Sequence, residues 1–358
     1  MILIMKKLFY LLKLHLPAHS TVSFVLILSI LASALFTGCT RRISTDPLIS
    51  TTDLFFDTII QITLYENPDA SLSRQDARSI LEEARSLCSR YEKMFSKTIP
   101  ESDIYQLNHA DGKPVLVHAE TYDLIEQSVN YSRNTNGLVD ITVSKVKDLW
   151  DFSTQDTDAP DSAIPSETSI KNALSHVDYH NILLDADHQT VTLTDPEAAI
   201  DLGFIAKGYI ADRLKEFLIS KGVQSAIINL GGNVAVVGSK PDGSPFVVGI
   251  EKPFSDGDYM DKLSVTAQSV VTSGIYERFF EVNQTIYHHI IDPKTGYPVK
   301  TDLLSATIIS DSSTQADALS TTCILLGKDK ALDFLRQYPD VSAIFITDQN
   351  EIIKYPDK

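Results

Sequence analysis

The chain has 358 residues and carries 31 Lys and Arg against 47 Asp and Glu, a formal net charge of −16 at pH 7. Nucleic acids are held by clustered Lys and Arg that neutralise backbone phosphates, so this balance argues against DNA or RNA as a partner. It leaves room for one small phosphate ligand held by backbone N–H groups and a metal.

The N-terminus reads as a targeting segment. Lys6, Lys7 and Lys13 form a basic start, residues 14–40 contain no Asp, Glu, Lys or Arg, and the most apolar part covers 21–36. The run closes on Leu35-Phe-Thr-Gly-Cys39, the pattern of a secretory signal. A cysteine directly after Gly38 resembles a bacterial lipobox, which makes Cys39 the expected lipidated N-terminus, although Phe36 departs from the usual Leu. An uncleaved anchor is the alternative, because the uncharged run is long enough to span a bilayer. Either way the body is expected on the extracytoplasmic face of the cell membrane, and a start at Met5 would leave this unchanged. The expected organisation is a signal over 1–38, a tether over 39–52 and one large domain over 53–358. Cys88 and Cys323 sit in apolar-periodic segments and are expected as buried thiols, with neither a disulfide framework nor a zinc spacing.

Along the body, residues 55–65 alternate like a strand. Residues 73–95 form a helix with Ile80, Ala84, Leu87, Tyr91 and Met94 on one stripe, and 119–135 form another, ended by Asn136-Gly137. Residues 137–150 read as a loop with a short helix, 153–166 as a surface insertion, and 181–193 as a hairpin turning at 185–188. A helix over 204–220 precedes strands at 226–230, 234–237, 245–250, 263–271, 276–282 and 303–310. Helices at 314–326 and 330–337 and a hairpin from 341–347 and 351–354 close the chain. Helices mix with strands joined by short turns, so the expected class is α+β, with mixed, largely antiparallel sheets and packed helices.

Several segments carry chemistry. Asp317 and Thr321 are spaced i, i+4, which puts both side chains on one side of a helix. A carboxylate and a hydroxyl make an oxygen pair suited to Mg²⁺, although an ordinary helix start with Asp317 near the positive dipole end would show the same spacing. Asp201-Leu-Gly-Phe-Ile-Ala-Lys-Gly-Tyr209 is a glycine turn opening a helix, where free N–H groups accept phosphate and Lys207 adds positive charge. It matches neither a dinucleotide fingerprint nor a Walker sequence, and a plain strand-to-helix turn reads the same way. Asn229-Leu-Gly-Gly-Asn233 marks a tight turn or a close backbone approach to a ligand. Thr272-Ser-Gly274 is a similar break, and Arg278 just after it could hold phosphate or pair with a surface acid. If extended, His288 and His289 face opposite ways, so only one can enter a site. A histidine at a strand end can act as a general base or be structural.

These segments, in their order, closely resemble one family. Phe55-Phe-Asp-Thr58 with Ile62-Thr-Leu-Tyr65, Ser102-Asp-Ile with Asn108, and Asn136-Gly-Leu-Val-Asp140 with Leu149-Trp150 begin the match. It continues through Asp201-Leu-Gly with Ala206-Lys-Gly-Tyr209, Asn229-Leu-Gly-Gly232 and Thr272-Ser-Gly274, and ends with His289-Ile-Ile-Asp-Pro293 and Ala316-Asp-Ala-Leu-Ser-Thr321. Together they resemble the ApbE family of FAD:protein FMN transferases over nearly all of the body. The resemblance implies an ApbE-like (T-fold-like) architecture and a Mg²⁺-dependent phosphoryl transfer. The FMN half of FAD passes to a threonine or serine hydroxyl of an acceptor protein, a subunit of an exported or membrane redox complex, and AMP leaves.

By the same resemblance Asp317, Thr321 and the Phe204 carbonyl are the Mg²⁺ ligands, and His289 is the candidate base. Family members often have a small residue where Phe204 stands. Leu138, Val139, Asp140 and Ile291 match FAD contacts, and Asp201 and Lys207 match positions near the ribose, adenine or phosphates. Phe56 stands where Met is common, and Thr98 where many members set an aromatic residue against the flavin. The same site would serve a metal-dependent FAD pyrophosphatase, and a flavin-binding lipoprotein without turnover is a third reading. The acceptor pattern Asp-x-x-[Ser/Thr]-Gly-Ala-[Ser/Thr] does not occur in the chain, so self-modification is not expected.

Overall fold

Alternating apolar positions build one large sheet, and amphipathic helices cover one of its faces. A computed structural model describes residues 44–69, 71–152, 159–255 and 257–356. The expected signal, Cys39 and residues 153–158 of the expected insertion lie outside them. Among the described residues no helix is long and apolar enough to cross a membrane.

The chain starts with a hairpin of β1 (Pro47–Phe55) and β2 (Thr58–Tyr65). Its turn residues Phe56 and Asp57 have φ of 54° and 55°, the left-handed pair that matches the twist of the flanking strands. Helix α1 (Arg74–Phe95) follows, its Ser73 cap accepting from Asp76 N. Next come α2 (Asp103–Asn108), β3 (Val115–Leu116), α3 (Ala119–Asn134), α4 (Ser144–Lys147) and α5 (Glu167–Leu174). A small hairpin, β4 (Ile182–Asp185) and β5 (Thr190–Leu193), leads to α6 (Ala206–Ser220).

The remainder is mostly strand: β6 (Ser225–Leu230), β7 (Asn233–Gly238), β8 (Phe246–Glu251), β9 (Tyr259–Val265), β10 (Ser269–Gly274), β11 (Phe279–Val282), β12 (Thr285–His288) and β13 (Leu303–Ser310). Helices α7 (Ser313–Leu326) and α8 (Lys328–Leu335) precede the closing pair β14 (Ser342–Thr347) and β15 (Ile352–Tyr355).

The main sheet has eight strands in the order β1-β2-β6-β7-β10-β13-β14-β15, and every neighbouring pair is antiparallel. Strand β14 shows how the two faces are used. Ala343 and Phe345 pack into the core with α7 and α8, while Ile344 and Ile346 join Phe246, Ile250 and Val265 of the β8–β9 hairpin on the other face. Period-two alternation on a strand buried on both sides produces this split. The larger core joins Ile60, Ile62 and Leu64 of β2 to α1, α3 and α6. The class is therefore α+β with antiparallel sheets, as the pattern of elements indicates.

Three details differ from the sequence reading. The stretch expected as tether enters β1 at Pro47 and pairs with β2 as far as Tyr65; its Ser and Thr residues suit an edge strand as well as a linker. The single strand expected over 263–271 is two, parted by a turn with Ala267 at φ 56°. Both halves are apolar, so alternation alone does not locate the break. The strand expected over 276–282 begins only at Phe279. Cys88 and Cys323 are free and buried.

Candidate active site

A cleft opens where the α6 start, α7 and the segment after β12 meet. Leu138, Val139, Asp140, Asp201, Phe204, His289, Ile291 and Thr321 line it. Asp317 and Lys207 are not among the lining residues. Phe56 and Thr98 are not among its wall residues. Phe56 sits in the first hairpin turn, its N–H donating to Glu92 Oε1 at 2.8 Å. Thr98 is exposed, its Oγ1 3.0 Å from Ser96 Oγ.

Helix α7 is held by a carboxylate from another helix. Asp212 of α6 accepts from the backbone N–H groups of Ser313 (2.7 Å) and Thr314 (2.9 Å) and from the hydroxyls of Ser312 (2.8 Å) and Thr314 (2.7 Å). It thus satisfies N–H groups that a helix start leaves unpaired and places negative charge at the positive dipole end. One turn further, Asp317 Oδ2 accepts from the Gly208 N–H at 2.8 Å. In a regular helix that N–H would bond the carbonyl four residues earlier, which is Phe204; diverted to Asp317, it leaves the Phe204 oxygen without a helical partner. Gly208 permits the approach, because an added Cβ would lie 2.3 Å from the Ser313 carbonyl oxygen and 2.7 Å from Asp317 Cβ.

Asp317 is buried, and burial raises its carboxyl above the usual range, although Lys207, the Gly208 N–H and the Asn233 amide each lower it. Asn233 is buried at the start of β7, and neither of its side-chain polar atoms has a well-formed hydrogen bond. A buried carboxylate, a free peptide carbonyl at Phe204 and the Thr321 hydroxyl make an all-oxygen donor set. Such a set fits Mg²⁺, and a cation would relieve the cost of burying the Asp317 charge. No cluster of three His, Cys, Asp or Glu suited to a metal occurs among the described residues.

The two histidines divide as alternation predicts. His288 is buried, its Nε2 3.1 Å from the Val299 carbonyl and its Nδ1 3.4 Å from the Ile290 N–H. Burial lowers its pKa to about 4, so it is a neutral structural residue. His289 lines the cleft with its Nδ1 3.3 Å from the Arg278 carbonyl. A carbonyl only accepts, so Nδ1 carries the proton and Nε2 keeps a free lone pair. Burial, then the charges of Lys147, His288 and Lys207, lower its pKa, which keeps the ring neutral.

The site also contains residues that motif reading does not find. Lys147 Nζ is 2.9 Å from Asp201 Oδ1, and Lys97 Nζ is 3.1 Å from Asp201 Oδ2. The Gly203 N–H adds a bond of 2.8 Å to Oδ1. Burial raises the Asp201 carboxyl, but the two lysines outweigh it and hold the group well below the usual carboxylate range. Lys97 follows the end of α1 and Lys147 closes the one-turn helix α4, and nothing in their spacing relates them to Asp201. Asp140 accepts from the Thr142 N–H (2.8 Å) and hydroxyl (2.6 Å) and from the Tyr179 N–H (2.9 Å), so its carboxyl shapes the loop that carries Leu138 and Val139.

The model of the ApbE family matches residues 56–345, and the chain belongs to that family. An FAD:protein FMN transferase of Klebsiella pneumoniae (strain 342) is 35% identical over 296 residues, covering 82% of this chain and 87% of the relative. The FAD:protein FMN transferase of Treponema pallidum (strain Nichols) is 33% identical over 324 residues, covering 86% and 85%. The crystal structure of the ApbE protein from Thermotoga maritima superposes with a TM-score of 0.76 at 31% identity, over 86% of this chain and 97% of that one.

Proposed function

We propose that this chain is an FAD:protein FMN transferase that uses Mg²⁺ at Asp317, Thr321 and the Phe204 carbonyl. The observation that carries the reading is one cleft lined by both His289 and Thr321, with Asp317 one helical turn before Thr321 and held by the Gly208 N–H. The acceptor hydroxyl oxygen bonds to the phosphorus of the FMN half of FAD, the bond from that phosphorus to the AMP oxygen breaks, and AMP leaves. The hydroxyl proton goes to Nε2 of His289. Bound Mg²⁺ would neutralise charge on the pyrophosphate oxygens. Leu138, Val139 and Ile291 offer apolar surface to the ligand, and Lys147 and Lys207 supply positive charge in an otherwise acidic chain.

Membrane attachment through lipidated Cys39, and an acceptor that is a subunit of an exported or membrane redox complex, rest on the N-terminal segment and complete the proposal. The test is incubation of the chain with FAD, Mg²⁺ and a threonine-bearing acceptor protein. Covalent flavin on the acceptor with one AMP per label supports the proposal. FMN and AMP without labelling would identify a pyrophosphatase instead, and tight FAD binding without AMP a non-catalytic binder.

A further inference from the structure

The Thr321 hydroxyl belongs to a chain of side-chain hydroxyls. Ser273 Oγ lies 3.1 Å from Thr321 Oγ1 and 2.7 Å from Ser320 Oγ. Ser320 Oγ in turn lies 2.9 Å from the backbone carbonyl of Asp317. Each hydroxyl has one proton to donate, whereas a carbonyl only accepts. The proton of Ser320 therefore goes to the Asp317 carbonyl. Ser320 must then accept from Ser273, and Ser273, its proton used, must accept from Thr321. One end of the chain fixes the direction of every bond in it.

We infer that Ser273 is a positioning residue for the cation site: it draws the Thr321 proton away from the cleft and leaves the oxygen lone pairs of Thr321 for a divalent cation. This rests on the reading of Thr321 as a cation ligand. A hydroxyl whose proton pointed into the cleft would present the wrong charge to a cation, so a ligand of this type needs an acceptor behind it. Ser273 supplies that acceptor from β10, where it pairs across the sheet with Ala306 of β13. Ser320 is fully buried on α7, and its bond to the carbonyl at the end of the relay polarises the two before it. The Thr272-Ser-Gly274 break in the sequence thereby acquires a role: the sheet sets the orientation of a hydroxyl on the helix above it.

Mn²⁺ titrated into the metal-free full chain, followed by electron paramagnetic resonance, tests the relay. Ser273→Ala should weaken Mn²⁺ about threefold to tenfold, the scale of one hydrogen bond. Ser320→Ala should weaken it similarly, because Ser273 then turns its proton onto Thr321. The double variant should be no worse than Ser273→Ala alone, and Ser273→Thr should retain the affinity. Unchanged affinity in Ser320→Ala, or losses that simply add, would overturn the relay. Thr321→Val with undiminished Mn²⁺ affinity would instead overturn the cation reading, and the relay with it. Flavin fluorescence with FAD and thermal denaturation check that each variant is folded.

Discussion

The Gly208 N–H donates to Asp317 Oδ2 at 2.8 Å, so a helix start and a carboxylate 109 residues later are one structural unit. Gly208→Ala would drive a methyl group into the Ser313 carbonyl and Asp317 Cβ. Overpacking of this kind costs about 1–3 kcal/mol, and at roughly 2–4 °C per kcal/mol the loss is visible in thermal denaturation. FAD turnover should fall with it, because the moved carboxylate is the one proposed to hold the cation. A variant with unchanged Tm and turnover would contradict this geometry.

Asp317→Asn keeps an oxygen for the Gly208 N–H and removes the charge. The fold should survive while Mg²⁺-dependent AMP release drops by about 10²-fold or more, the scale of a lost electrostatic stabiliser. Asp317→Ala should abolish the metal-dependent turnover. Undiminished AMP release from FAD in either variant would remove Asp317 from the metal site.

His289 titrates below its ordinary range because of burial and the nearby Lys147, His288 and Lys207. It is therefore neutral, and able to accept a proton, well below pH 6.5. The acid limb of kcat/KM for acceptor labelling should lie below about pH 5, in contrast to the pH 6.5 of an unperturbed imidazole. His289→Gln should lower transfer by about 10²- to 10⁴-fold. An acid limb near pH 6.5 that persists in this variant would assign the proton transfer elsewhere.

His288 gives a stability signature of its own. Its folded pKa is depressed to about 4 by burial, so the unfolded chain binds the proton more readily. The stabilisation is fully present above about pH 6.5 and is lost as the pH falls through the folded value, on the order of 3 kcal/mol in all from the shift to about 4. Denaturant titrations of the wild type and His288→Gln should differ in slope between pH 6.5 and 4. Parallel curves across that window would refute the assignment.

Much of this is legible in the sequence alone. Alternation and turn residues give the β4–β5 and β14–β15 hairpins but not β1–β2 or β11–β12, and i, i+4 spacing puts Asp317 beside Thr321 on α7. The opposite facing of His288 and His289 follows from extended backbone alone. The lysines at Asp201 are not legible, because Lys97, Lys147 and Asp201 come together from three segments far apart in the chain with no shared period. Asn233 and Ser273 sit in motifs visible in the sequence, yet their roles depend on which side chain of α7 lies above them. Helix α2, with six residues, is too short for a periodic signal.

Lys147→Met should weaken FAD and leave riboflavin, which has no phosphate, unaffected in an equilibrium fluorescence titration. Equal weakening of both would indicate that Lys147 only supports the wall of the cleft.

The arrangement of Lys97 and Lys147 around Asp201 has a consequence for entry of the substrate. In the free protein both ammonium groups already have an anion between them, so a pyrophosphate does not meet a bare positive pocket. It arrives as a competitor for ammonium groups that a carboxylate of the chain already holds. Asp201 stays tethered beside the incoming phosphates, so each lysine must divide its charge between the two. Free phosphate, too small to reach the apolar wall as well, would have little advantage over the internal partner, and the cleft would stay closed to the anions most abundant around it.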